Sequence, residues 1–198
     1  MALDRFYPIF DDPAWLERAL PLGVRLVQMR IKDRPPPELR AMLARSRDLC
    51  RAAGAVLVVN DHWQIAIDLG CDWVHLGQED LDTADLGAIR RAGLRLGVST
   101  HDEAELDRAL SLSPDYVALG PVWPTILKQM KWAPQGLDRV RLWKDRIGAL
   151  PLVAIGGLSV ERAGAALAAG ADSVAVVTDI TLNPAPEARI TRWIGATR

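Results

Sequence analysis

Eight short apolar runs recur along the chain, separated by stretches with a different period. They are FYPIF (6–10), VRLVQMR (24–30), VLVVN (56–60), WVHLG (73–77), LRLGVS (94–99), YVALG (116–120), LVAIG (152–156) and SVAVVT (173–178). Each is rich in Val, Leu and Ile and lacks a clean apolar–polar alternation, which is how strands buried on both faces read. Between them the spacing turns helical. Over 36–53, Leu39, Met42, Leu43, Leu49 and Cys50 recur at steps near three and four, while Arg40, Arg45 and Arg47 fall elsewhere. RPPP (34–37) reads as the entrance to that helix. Val160, Ala163 and Leu167 repeat the spacing after Ser159, a natural N-cap. Thr100 and Glu103 fit a capping box that opens a helix through Leu110.

Strand and helix alternate throughout, so a parallel α/β sheet is the economical fold. Eight such units close into a (β/α)8 TIM barrel, expected here as one domain over residues 1–198, at the short end for that fold. The rival is an open doubly wound sheet. Against it, no G-x-G-x-x-G opens a helix after an early strand.

Composition narrows the class. With 49% hydrophobic and 25% charged residues the chain reads as globular. A net charge of −1 gives no global field for nucleic acid or an acidic membrane surface, so any anion site is local. No basic-then-apolar leader or membrane-length apolar run is seen, and a cytoplasmic protein is expected. Cys50 and Cys71 lack metal-type spacing and read as reduced, buried thiols.

In a barrel the chemistry sits at the C-terminal ends of the strands. There the second run ends Gln28-Met29-Arg30-Ile31-Lys32, the third Asn60-Asp61, and the fourth Gly77-Gln78-Glu79-Asp80. The later runs end Ser99-Thr100-His101, Gly120-Pro121, Gly156-Gly157 and Thr178-Asp179. Period-two spacing sends Gln28, Arg30 and Lys32 to one side, where an amide and two cations can address an anion. The plainer alternative is a strand leaving for solvent. Asp61 and Asp80 end adjacent strands and can share Mg²⁺, which takes one or two carboxylates plus substrate phosphates and water. Helix-capping aspartates are the alternative.

Gly156 and Gly157 reach a helix start, where free N–H groups attract phosphate, and Val177 and Thr178 add further backbone donors. Tight-turn glycines without a ligand remain the bland reading. The stretch GPVWPTILKQMKWAPQGL (120–137) is long for a connection, and Thr125, Lys128 and Lys131 can reach over a mouth. Trp123 and Trp132 read as packing that loop down, His75 as a satisfied core residue and His101 as part of a helix entrance. No Ser/His/Asp, Cys/His or zinc constellation stands out.

Several of these segments, in this order, resemble the thiamine phosphate synthase family over nearly the whole chain. They are VQMRIKD, VVNDHWQIAIDLGCDWVHLGQEDL, LGVSTH, DYVALGPVWPT with Lys128, and PLVAIGGLSVERAGAALAAGADSVAVVT. The resemblance implies a (β/α)8 enzyme that joins a pyrimidine diphosphate to a thiazole phosphate and releases pyrophosphate with Mg²⁺ assistance. It implies that Gln28, Met29, Arg30, Ile31, Lys32, Asn60, Ser99 and Lys128 hold the pyrimidine and its diphosphate. Of these, Arg30, Lys32, Ser99 and Lys128 would carry the catalysis, with Asp61 and Asp80 on the metal. Thr125, Ile126, Leu127, Gly157, Val177 and Thr178 would hold the thiazole phosphate. Its partners are then two phosphorylated small molecules, with neither nucleic acid nor membrane, and members of the family often form homo-oligomers.

Three positions depart from the family pattern. Ile31 stands where an acidic residue is usual, His62 where Arg is common, and Leu127 where P-T-x-T-K has its second threonine. Two rival readings accompany the synthase. A thiazole tautomerase-like isomerase shares the barrel, but Pro121 occupies the position of its catalytic His. The other is a non-catalytic barrel that binds thiamine precursors, favoured only by Leu127.

Overall fold

The structure is a computed structural model that describes residues 3–125 and 132–198. Eight parallel strands close into a barrel in chain order. They are β1 (Phe6–Phe10), β2 (Leu26–Met29), β3 (Val56–Asn60), β4 (Trp73–Leu76), β5 (Arg95–Thr100), β6 (Tyr116–Leu119), β7 (Leu152–Ile155) and β8 (Ser173–Val176). The helices that follow them are α1 (Ala14–Ala19), α2 (Pro36–Ala53), α3 (Trp63–Asp68), α4 (Leu86–Arg91), α5 (Glu103–Ser111), α6 (Gly136–Ile147), α7 (Val160–Ala168), α8 (Thr178–Thr181) and α9 (Pro186–Thr197). The TIM barrel expected from the sequence is the fold observed.

Two apolar layers explain why the strands lack polar alternation. Tyr7, Ile9, Leu26, Val58, Trp73, Tyr116, Ala118, Val153 and Ala175 fill the barrel interior. The residues between them, among them Phe6, Val27, Met29, Val59, Val74, Val117 and Val174, point outward and pack with the helices. Alternate side chains leave a strand on opposite faces, and here both faces are dry. The helix read over 36–53 is α2, with Pro36 in its first turn and Gly54 in the left-handed region (φ 66°) closing it. Cys50 and Cys71 are buried and free, and burial pushes the Cys50 thiol up to about 12 and raises Cys71 as well. Among the described residues no helix is long and apolar enough to cross a membrane.

Two caps differ from expectation. The cap of α5 lies two residues later than Thr100: Asp102 accepts from the Glu105 N–H (2.9 Å), and Glu105 accepts from the His101 N–H (2.9 Å). Thr100 is still inside β5, where its hydroxyl donates to the Ala118 carbonyl (3.0 Å) and accepts from Trp143 Nε1 (3.0 Å). A Thr beside an Asp has two outlets for its hydroxyl, and the buried one wins because it satisfies two other polar groups. Ser159 does precede α7, but its side chain makes no cap bond.

One interior position has no room for a side chain. A Cβ on Gly97 in β5 would lie 2.0 Å from Tyr116 Cζ. Gly97→Ala is expected to destabilise the fold by about 3 kcal/mol, because the Tyr116 ring must leave its packed place. Chemical denaturation of the two proteins checks this, and an unchanged midpoint would remove Tyr116 from the interior.

Candidate active site

The ends of β2, β3, β4 and β5 gather the expected polar groups on one rim. Along β2 and beyond it, the alternation holds: Gln28 is buried inside the barrel, while Arg30 and Lys32 are exposed. Met29 and Ile31 are buried in the outer layer, so their side chains do not reach the mouth and only their backbone remains available there. His62 Nε2 donates to the Ile31 carbonyl (3.1 Å), which ties the loop after β3 to the segment after β2. Lys32 forms an ion pair with Asp61 across these two loops.

Asn60 is buried at the tip of β3, and Asp61 turns the chain with φ 62°. Asp tolerates this left-handed conformation better than most residues, although it is uncommon. The turn is held from β4, whose His75 carbonyl accepts from the Asp61 N–H (2.9 Å). Asp80 opens the 3-10 turn Asp80–Asp82 after β4, and its Oδ2 accepts from the Gly77 N–H (3.0 Å). A Cβ at Gly77 would sit only 3.0 Å from that same oxygen, so the glycine permits the approach.

The Asp61 and Asp80 carboxyl groups lie close enough for the charge of one to act on the other. Burial and then the Asp61 charge raise Asp80 above the usual carboxylate range, offset in part by the Gly77 N–H and Lys32. Two neighbouring carboxyl groups, one with raised proton affinity, make a place short of positive charge. Among the described residues no group of three or more His, Cys, Asp and Glu forms a ready metal cage. A cation held here would take its other ligands from substrate and water.

Ser99, near the end of β5, is reached from below. Its Oγ lies 2.8 Å from His75 Nε2, and His75 Nδ1 lies 2.7 Å from the Tyr116 hydroxyl. That hydroxyl is 3.0 Å from the Tyr7 hydroxyl, which accepts from Gln28 Nε2 (3.0 Å). Burial pushes the His75 ring down to about 4 and raises both phenols well above their ordinary value. His75 is thus the satisfied interior residue the sequence indicated, and it also touches a candidate site residue. Tyr7 and Tyr116 escaped the sequence reading because a Tyr in an apolar run reads as volume. The available signal was that a buried phenol needs a partner. Gln78, read from the sequence only as part of the fourth strand end, is given a place by the structure: its Nε2 donates to the Ser99 carbonyl (2.7 Å), and its Oε1 is buried without a partner among the described residues.

On the other side of the mouth, the loop after β6 lies against the one after β7. The Val122 N–H donates to the Ile155 carbonyl (2.9 Å), and the Trp123 N–H to the Gly156 carbonyl (3.0 Å). Gly156 and Gly157 have φ 93° and 64°, and a Cβ on Gly157 would fall 2.5 Å from the Pro124 carbonyl oxygen. These glycines are therefore required by the neighbouring backbone whether or not an anion binds. Both ends of the long loop are clamped, since the Gln135 N–H donates to the Pro121 carbonyl (2.8 Å) and the Gly136 N–H to that of Val122 (3.0 Å). Arg162 covers Trp123 at 5.3 Å, and Trp132 stacks on His101 at 4.1 Å, so both indoles pack the loop as expected.

Thr125 is half-buried at the edge of this loop, whereas Ile126, Leu127, Lys128 and Lys131 lie outside the described residues. Val177 packs against the interior layer, and Thr178 begins α8. The adjacent Asp179 turns away from the mouth, with its Oδ2 accepting from Arg189 Nε (2.7 Å) and Trp193 Nε1 (2.7 Å).

Known proteins share both sequence and fold with this chain. The sequence model of the family described as thiamine monophosphate synthase matches residues 7–180. A thiamine-phosphate synthase of Rhizobium etli is 63% identical over 197 residues, covering 100% of this chain and 97% of that protein. One of Salmonella newport is 54% identical over 175 residues, covering 88% and 83%. The solved structure of a thiamine phosphate pyrophosphorylase from Pyrococcus furiosus has a TM-score of 0.87 at 27% identity, covering 98% and 95%. A structure described as native KDPGal shares the fold alone, with a TM-score of 0.73 at 14% identity.

Proposed function

The chain belongs to the thiamine monophosphate synthase family, and from that premise we propose how its residues divide the work of synthesis. It is an enzyme of thiamine phosphate formation. The substrates are a pyrimidine methyl diphosphate and a hydroxyethylthiazole phosphate. The C–O bond to the diphosphate breaks first, and the thiazole nitrogen then traps the pyrimidine carbocation. That exchange needs no enzyme nucleophile, so the Ser99 hydroxyl, which lies 2.8 Å from His75 Nε2, is left to bind the pyrimidine.

The observation that carries this division is the Lys32–Asp61 ion pair at the rim, with the Asp80 carboxylate turned back onto the Gly77 N–H beside it and close enough to feel the Asp61 charge. Mg²⁺ fits this donor set, because it takes one or two carboxylates and completes its shell with phosphate oxygens and water. When bound there it would neutralise charge on the departing diphosphate. Arg30 and Lys32 add fixed positive charge at the same rim, and Lys128, which lies outside the described residues, would supply a third cation to the diphosphate. Gln28, Asn60 and Ser99 hold the pyrimidine, so that the cation forms within reach of the thiazole. Thr125, Ile126, Leu127, Gly157, Val177 and Thr178 receive the thiazole phosphate, largely through backbone N–H groups. Mixing both precursors with Mg²⁺ and assaying thiamine phosphate tests the reading, and no product from the folded protein would overturn it.

Leu127 contributes no hydroxyl to this proposed anion site. A hydrogen bond to a charged group contributes roughly 1.5–3 kcal/mol, so Leu127→Thr is expected to lower the KM for thiazole phosphate by about tenfold to a hundredfold. The kcat should stay within about twofold, because the bond concerns a phosphate that does not react. Steady-state kinetics with the thiazole substrate varied checks this, and activity that appears only in the variant would favour the precursor-binding alternative.

A further inference from the structure

The barrel interior holds a continuous hydrogen-bonded chain, Gln28–Tyr7–Tyr116–His75–Ser99, contributed by five strands. Its interior members are nearly inaccessible: Tyr7 is 1% exposed, Tyr116 0% and His75 7%. Its two ends are the amide and hydroxyl assigned above to the pyrimidine. We propose that this chain is a positioning device, in which Tyr7, Tyr116 and His75 fix the donor and acceptor roles of Gln28 and Ser99 and thereby set pyrimidine recognition.

The argument is one of direction. Gln28 Nε2 can only donate, so the Tyr7 oxygen accepts from it. The Tyr7 proton then needs an acceptor in a dry interior, and the Tyr116 oxygen, 3.0 Å away, provides one. Were Tyr116 to donate to Tyr7 instead, the Tyr7 proton would be buried unpaired. Tyr116 accordingly donates to His75 Nδ1, which selects the tautomer protonated at Nε2. His75 Nε2 donates to Ser99 Oγ, and the Ser99 proton is left for a ligand acceptor. Ser99 is also fixed through its backbone, since its carbonyl accepts from Gln78 Nε2.

The apolar packing around the chain leaves each member little freedom. The His75 ring stacks on Tyr116 at 5.5 Å and 19°, and Tyr7 meets Tyr116 edge-on at 6.2 Å. Tyr116 in turn fills the space that Gly97 leaves open. A ring held on both sides by neighbours cannot swing to another partner, so a proton direction set at Gln28 is delivered at Ser99. Removing the Tyr116 hydroxyl would free the His75 tautomer and leave Ser99 without a defined donor direction.

The inference rests on the pyrimidine assignment in the proposed function, and a chain-cutting substitution separates the two. Tyr116→Phe keeps the ring and deletes the link. It is expected to lower kcat/KM for the pyrimidine diphosphate about tenfold, the scale of one buried hydrogen bond. The KM for thiazole phosphate should be unchanged. The effect should also vanish in a Ser99→Ala background, because the hydroxyl acts through Ser99. Tyr7→Phe removes the acceptor that fixes Gln28 and leaves the Tyr116–His75–Ser99 links in place, so it should lower the same kcat/KM through Gln28 and be additive with Ser99→Ala, and it serves if Tyr116→Phe does not fold. Equal damage to both substrates by either variant, or additivity of Tyr116→Phe with Ser99→Ala, would overturn the inference while leaving the synthase reading intact. A wild-type protein that forms no thiamine phosphate would overturn both.

Discussion

Asp61→Asn and Asp80→Asn should each lower turnover at least about a hundredfold, since one preorganised electrostatic contact to developing charge is worth roughly 3–4 kcal/mol. The two carboxyl groups adjoin at the ends of neighbouring strands, outside both packed layers. Loss of either charge removes half of the pair that would hold the cation. Stability should move the other way for Asp80→Asn in metal-free protein. The folded-state proton affinity of Asp80 is raised, so its stabilising contribution is present below the ordinary carboxylate pKa and is lost as pH rises through the folded value. An amide at this position carries no such loss, and it can still accept from the Gly77 N–H. Lower activity together with an equal or higher melting temperature at neutral pH is the expected pair of results. Near-normal rates for both variants at saturating Mg²⁺ would remove the metal assignment.

The second large effect is expected for Arg30→Ala. Arg30 is exposed at the end of β2, and its charge is felt at His75, where it lowers the ring's proton affinity. Lys32 is engaged by Asp61, whereas Arg30 stands without a carboxylate partner among the described residues. A guanidinium that meets a phosphate bidentately loses both bonds on truncation, so kcat/KM for the pyrimidine diphosphate should fall about a hundred- to a thousandfold. The KM for thiazole phosphate should stay within about threefold, because its proposed contacts come from the opposite side of the mouth. Arg30→Lys should recover part of the loss but not all, since an ammonium supplies the charge without the planar fork. Kinetics with each substrate varied in turn distinguishes these cases. Equal damage toward both substrates would show that the mouth is not divided into two anion sites.

Gly157 offers a less clean counterpart than its sequence context implies. A side chain there meets the Pro124 carbonyl at 2.5 Å and must adopt φ 64°. Gly157→Val would therefore displace the loop after β6 as well as crowd a phosphate, and its phenotype would mix the two causes.

Legibility in the sequence followed the range of the interactions. All eight strands were readable because burial on both faces leaves an unbroken apolar run, and a run needs no knowledge of its partners. The alternation Gln28, Arg30, Lys32 was readable for the same reason, since a strand sends every second side chain to one side. So was the adjacency of Asp61 and Asp80, because consecutive parallel strands end at the same rim. The cap of α5 was misplaced because Thr100 and Asp102 both offer a capping oxygen, and a buried bond to Ala118 and Trp143 decided between them.

The sequence by itself determined the barrel, the rim and the charges carried on it. Only the tertiary structure decided which of those groups touch. Tyr7 and Tyr116 are 109 residues apart, yet their hydroxyls meet because barrel closure brings facing strands to one interior layer. The carbonyl that accepts the Asp61 N–H belongs to His75 on the next strand, and the surface that requires Gly157 to be a glycine belongs to Trp123 and Pro124. The physical reason is common to all three. A local pattern records whether a residue is wet or dry, whereas the identity of its partner is fixed by strand register and closure, which no single segment contains.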